Sequence, residues 1–124
     1  MNLSINVLIV DDYQTMLRIM RNLLKQIGFS NIDEALDGTE ALSKMKNKEY
    51  GLVISDWNME PMTGIELLKN VRENSLNNKD VPFIMVTAES KTENVIEARK
   101  AGVNNYIVKP FNAETLKEKI STVL

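Results

Sequence analysis

The sequence predicts an α/β fold in which a parallel sheet is covered by helices on both faces. Three observations lead there. Short runs of Val, Ile and Leu, foremost Val7-Leu8-Ile9-Val10 and Leu52-Val53-Ile54, are continuous rather than alternating, the mark of strands buried on both sides. Segments with apolar residues at helical spacing follow them. The strand-helix pair recurs about five times with no repeat unit, low-complexity tract or Pro/Ser-rich linker, so one domain spanning 1–124 with right-handed crossovers is expected.

Taken in order, Val7 to Val10 forms the first strand, and Met16, Met20, Leu23, Leu24 and Ile27 line one face of a helix that Gly28 stops. Ile32 to Leu36 is a weaker strand ended by the Asp37-Gly38 turn, after which Ala41, Leu42 and Met45 mark a short helix. Leu52 to Ile54 gives a third strand, stopping at Ser55-Asp56. Ile65, Leu68 and Val71 begin the next helix, and Asn77 and Asn78 fall in a polar loop. Pro82 to Val86 is the fourth strand, with Pro at its tolerated first position. Lys91 to Ala101 reads as a helix whose apolar stripe (Val95, Ile96, Ala98, Ala101) is thin and poorly phased, so it is expected to be the least firmly packed. Tyr106 to Val108 is the last strand, and Ala113, Leu116, Ile120 and Val123 share one side of the last helix.

Composition excludes several chemistries. The 124 residues contain no Cys and no His, which removes disulfides, thiolate nucleophiles, imidazole bases and the common zinc ligands. With 15 Lys plus Arg against 17 Asp plus Glu, the net charge of −2 argues against a nucleic-acid partner. Met1 to Asn6 lacks the pattern of a signal peptide, and no apolar run is long enough to span a bilayer. A cytoplasmic protein without membrane insertion is expected.

Ligands of open parallel sheets bind beyond the C-terminal strand ends. Those ends carry Asp11 and Asp12, Asp56, Thr87 and Lys109, which the fold gathers on one edge. Clustered carboxylates repel one another unless a cation sits among them, and an all-oxygen set without His or Cys suits Mg²⁺. A carboxylate nucleophile, Mg²⁺ and a Lys ammonium together point to phosphoryl transfer. Each residue also has a plainer reading. Asp11 and Asp12 would serve as helix caps, Asp56 as a loop-starting acid, Lys109 as a solvated chain, and Thr87 and Tyr106 as strand and core residues. Trp57 is expected on the pocket rim, and the seven Met mainly as core filler apart from the initiator and loop residues.

Asp11-Asp12, Asp56-Trp57-Asn58-Met59, Thr87-Ala88-Glu89 and Tyr106 with Lys109-Pro110-Phe111 together resemble the response-regulator receiver domain, most closely its chemotaxis members, over essentially the whole chain. The resemblance implies a five-stranded doubly wound sheet of order 2-1-3-4-5 and a cis Lys109-Pro110 bond. It implies Asp56 as phosphoacceptor from a histidine kinase, and Mg²⁺ held by Asp11, Asp12, Asp56 and the Asn58 backbone carbonyl. Thr87 and Lys109 would grip the phosphoryl oxygens, Thr87 and Tyr106 would switch, and Asn58 and Glu89 would tune dephosphorylation. The chain would be a switch that catalyses its own phosphorylation and dephosphorylation, not an enzyme acting on other substrates. With no output domain following, it would act as a monomer by binding, the partners being a chemotaxis kinase, the flagellar motor switch protein and a phosphatase.

One departure stands out: Glu60-Pro61 occupies positions where receivers commonly read Pro followed by a variable residue, with the spacing from Asp56 to Gly64 kept. An altered loop and an extra carboxylate near the pocket rim are expected. Rival readings are a phosphate sink or relay intermediate, an Asp-nucleophile phosphatase, an FMN binder and a degenerate scaffold. Asn58 sits where the phosphatase needs a second carboxylate, Asp11-Asp12 would repel a flavin phosphate, and the complete residue set argues against a degenerate scaffold.

Overall fold

A computed structural model describes residues 1–74, 77–88 and 92–124, with the side chains of 92 and 93 left aside. Five parallel strands, β1 (Asn6–Val10), β2 (Asn31–Ala35), β3 (Leu52–Asp56), β4 (Phe83–Thr87) and β5 (Asn105–Val108), lie in the order β2-β1-β3-β4-β5. Five helices alternate with them: α1 (Gln14–Ile27), α2 (Gly38–Asn47), α3 (Gly64–Asn74), α4 (Thr92–Ala101) and α5 (Ala113–Ser121). The expected fold class and strand order are therefore those of the molecule.

Successive strand residues point to opposite faces, which divides the core in two. Leu8, Val10, Val53, Phe83 and Met85 pack on one face with α2, α3 and α4. Val7, Ile9, Ile54, Ile84, Val86 and Ile107 pack on the other with Leu17, Met20 and Leu24 of α1 and Leu116 and Ile120 of α5. The continuous apolar runs follow from this double burial.

Helix ends are set by local side chains. Asp37 Oδ1 accepts the Glu40 N–H at 2.8 Å to open α2, and Asn112 Oδ1 accepts the Thr115 N–H at 2.8 Å to open α5. At α3 the Thr63 hydroxyl oxygen accepts the Glu66 N–H while Glu66 Oε1 accepts the Thr63 N–H, each at 3.2 Å, a reciprocal capping box. Gly28, at φ +125°, ends α1 by donating its N–H to the Leu24 carbonyl.

Several boundaries differ from the sequence reading. β2 ends at Ala35, not Leu36, because the Leu36 N–H bonds to the Glu40 carboxylate and its side chain turns to solvent. β3 runs on through Ser55 and Asp56, and β4 through Thr87. Asn78 is buried despite its polar loop: its side chain accepts the Tyr50 N–H and donates to the carbonyls of Met45 and Lys48. Of the described α4 side chains only Ala98 is fully buried, in keeping with its thin apolar stripe. Met20, Met45, Met59 and Met85 are core residues. Among the described residues no helix is long and apolar enough to cross a membrane.

Candidate functional site

The strand register decides which side chains meet. Val10 pairs with Ser55, Asp56 with Val86, and Thr87 with Val108, so the C-terminal ends of β1, β3, β4 and β5 lie level. The ladder continues one residue past the strands. The Asp11 N–H donates to the Ala35 carbonyl at 3.1 Å, the Trp57 N–H to Val86 at 2.9 Å, and the Lys109 N–H to Thr87 at 2.8 Å. The backbones that carry Asp11, Asp56 and Lys109 are thus held by the sheet itself, which is what a site needs for fixed geometry.

Asp11, Asp12 and Asp56 each offer a carboxylate oxygen, and the three lie within 4.8 Å of one another. Asp11 and Asp56 are buried at 5% and 8% exposure, while Asp12 is exposed. Lys109 extends its ammonium to them, 3.1 Å from Asp56 Oδ1 and 3.9 Å from Asp11 Oδ2. Among the described residues Lys109 thus pairs with two of the three carboxylates, Asp11 and Asp56.

Burial of the pair shows in the protonation equilibria. Burial pushes Asp11 up to about 6; the Tyr13 N–H opposes this, the Asp56 charge adds to it, and Lys109 offsets part. Asp56 is also raised, again chiefly by burial and against the pull of Lys109. Neither Asp11 nor Asp12 caps α1. Tyr13 holds the N-cap position without a side-chain bond, and Asp11 Oδ1 instead accepts the Tyr13 N–H at 2.9 Å.

The donor set fits a hard divalent cation: three convergent carboxylates that burial and mutual repulsion disfavour as anions, in a chain with no His or Cys. Thr87 is buried at the end of β4. Tyr106 is half-buried on β5 and packs against the α2–α4 side of the core. Asn58 is exposed in the loop after β3, and its neighbour Trp57 is half-buried and packs against the α2–α4 side of the core. Glu60 is exposed in the same loop, and both Glu60-Pro61 and Lys109-Pro110 are cis. Glu89 lies outside the described residues.

Two structural supports escape a sequence reading. Ser55, fully buried, donates its hydroxyl to the Asp56 carbonyl at 3.0 Å; a polar residue within the apolar β3 run is the only sign of it. Gly64 lets α3 lie directly against the acidic strand, since a Cβ there would strike the Asp56 carbonyl oxygen and stand 2.6 Å from Met85 Sδ.

Comparison with known proteins agrees with this geometry. The profile of the family described as response regulator receiver domain matches residues 7–121. The chain is 51% identical over 123 residues to the chemotaxis protein CheY-3 of Vibrio cholerae, covering 99% of this chain and 94% of that protein. It is 51% identical over 117 residues to the chemotaxis protein CheY of Pseudomonas aeruginosa, covering 94% of each. Among solved structures, Vibrio cholerae chemotaxis protein CheY4, crystallised at low pH, superposes with a TM-score of 0.91 at 37% identity, covering 98% of this chain and 99% of that one. With the profile spanning nearly all of the sheet and its acidic edge, this chain belongs to the response regulator receiver family.

Proposed function

We propose that the chain is a chemotaxis phosphoacceptor switch, with Asp56 as the residue modified. The observation that carries this reading is the Asp56 carboxylate, buried at the end of β3, 3.1 Å from the Lys109 ammonium and grouped with Asp11 and Asp12. An Asp56 oxygen attacks the phosphorus of a phosphohistidine on a partner kinase. The P–N bond breaks, its electron pair returns to the imidazole, and an acyl phosphate forms. The missing histidine is supplied by the donor.

Asp11, Asp12 and Asp56, with the Asn58 backbone carbonyl, would hold Mg²⁺, which when bound supplies positive charge to the transferring phosphoryl oxygens. Lys109 offers the chain's own cation to the same oxygens, and its bonds to the carboxylates keep it there beforehand. Thr87, at the same sheet edge, presents a hydroxyl to the new group, and Tyr106 on the neighbouring strand follows it. Asn58 and Glu89 tune the entry of the hydrolytic water. Since Asn58 leaves the second carboxylate of a phosphatase absent, the protein acts as a switch and not on other substrates.

The similarity to chemotaxis proteins supports the flagellar motor switch as the partner, with a chemotaxis kinase upstream and the cytoplasm as the place of action. Acetyl phosphate with millimolar Mg²⁺ should add the mass of one phosphoryl group and change Trp57 fluorescence, and Asp56→Asn should do neither. No mass change in the wild-type chain would refute the acceptor role. Equal affinity of a switch-protein peptide with and without beryllofluoride would refute the motor output and leave a phosphate sink.

A further inference from the structure

Tyr106 is enclosed by a closed circuit of contacts to the end of α5. Its backbone N–H donates to Asn105 Oδ1 at 2.8 Å. The Asn105 amide donates to Thr122 Oγ1 at 2.8 Å, and the Thr122 hydroxyl donates to the Lys119 carbonyl at 2.7 Å. Lys119 completes the circuit by laying its ammonium over the Tyr106 ring, 5.3 Å from the centroid. Among the described residues no carboxylate lies within 4 Å of that ammonium. The ring face is therefore the partner for its charge that these contacts provide.

We propose that Lys119 is a positioning residue for Tyr106, holding the ring in its half-exposed seat by a cation–π contact, and that Asn105 and Thr122 aim it. The geometry lies within the 6 Å range at which such contacts are attractive. The Asn105–Thr122 pair ties the end of α5 that bears half-buried Lys119 to β5, where its ammonium lies over the ring. The functional consequence rests on the reading of Tyr106 as a switch residue: Lys119 then sets how readily the ring leaves its seat when Asp56 is modified. The hold itself belongs to the unmodified protein.

Fluorine NMR of the chain labelled with fluorotyrosine tests this. The sequence has three tyrosines, Tyr13, Tyr50 and Tyr106, and Tyr106→Phe identifies the resonance of interest. Lys119→Met keeps the apolar stem and removes the charge. It should change the ratio of seated to unseated ring by about two- to five-fold, the range for a cation–π contact at an exposed site. Lys119→Arg should restore the wild-type ratio, and Asn105→Ala should shift it in the same direction as Lys119→Met. An unchanged ratio in Lys119→Met, or a change as large in Lys119→Arg, would overturn the proposal. Beryllofluoride with Mg²⁺ is the separate arm. If it fails to move the wild-type Tyr106 signal the switch reading falls, while the comparison of unmodified variants still decides the role of Lys119.

Discussion

Replacing Asp11 by asparagine should stabilise the metal-free protein at neutral pH. Burial and the neighbouring Asp56 raise the Asp11 carboxyl from 3.8 to about 6, so the folded chain favours its protonated form and is penalised when the group ionises. A tenfold change in a protonation equilibrium is worth about 1.4 kcal/mol, so a rise of this size gives a penalty of about 3 kcal/mol once the group is ionised in both the folded and the unfolded chain. Because the folded value is the higher one, the stability is fully present below 3.8 and is lost as pH rises through about 6. Asparagine is neutral throughout, and its Oδ1 can still accept the Tyr13 N–H that Asp11 accepts at 2.9 Å. Urea unfolding in EDTA at about pH 7 should therefore show a midpoint about 1.5 M higher than wild type, for a slope near 2 kcal/mol per molar. The advantage should shrink to about 1 kcal/mol at about pH 4.5, where only the unfolded carboxyl is mostly ionised. Millimolar Mg²⁺ should raise the wild-type midpoint by mass action and narrow the gap, because the variant lacks one of the three carboxylates proposed to hold the ion. A midpoint at or below wild type in EDTA at neutral pH would refute the reasoning, and so would an advantage independent of pH.

Gly64→Ala should cost about 1–3 kcal/mol, as overpacking does, because its Cβ meets the Asp56 carbonyl and Met85 Sδ; a urea midpoint equal to wild type would count against the close approach. The Arg72 guanidinium donates to the carbonyls of Gly102, Lys79 and Val81 and to Asn104 Oδ1, at 2.7 to 3.1 Å. Arg72→Met should therefore lose about 3 kcal/mol, with Arg72→Lys recovering only part, as read by thermal unfolding. Asn78→Leu keeps the size of a side chain that is 1% exposed but strands the Tyr50 N–H and the carbonyls of Met45 and Lys48. A loss of about 3 kcal/mol or more is expected in denaturant titration.

The residues that are legible in the sequence and those that are not differ in kind. Val7 to Val10 and Leu52 to Ile54 announce buried strands because double burial leaves an unbroken apolar run. Asp11, Asp56 and Lys109 can be found because parallel strands place their ends on one edge, so position along the chain converts directly into position in space. Arg72 gives no such sign, since four of its five hydrogen bonds go to backbone carbonyls, which every residue possesses. Asn78 reads as loop polarity for the same reason, although it is one of the most buried polar residues. Lys119 looks like a solvated helix charge because its partner ring lies on a different element. Leu36 misleads in the opposite direction: an apolar side chain extends the apparent strand, while Glu40 has taken its N–H.

The unequal anchoring of α1 and of the described part of α4 gives a change at Asp56 a direction. β3 lies at the centre with β1 and β4 on either side of it, and α1, which contacts β1, has Leu17, Met20 and Leu24 buried. Displacing that helix exposes three large apolar side chains at about 1.5–3 kcal/mol each, more than one altered charge can readily supply. On the β4–β5 side α5 is anchored by Leu116 and Ile120, but of the described α4 side chains only Ala98 is fully buried, and Tyr106 is held by hydrogen bonds and a cation–π contact at the surface. Contacts of that kind contribute about 1 kcal/mol or less each, so this is where two arrangements can differ by little. The phosphorylation of Asp56 proposed above, by adding charge and acceptor oxygens beside Thr87 and Lys109, is accordingly expected to be felt through β4 and β5 and not through β1. Hydrogen exchange should then change in α4 and β5 on beryllofluoride binding while α1 stays protected. Loss of protection in α1 of the same size would mean that the signal leaves by another route.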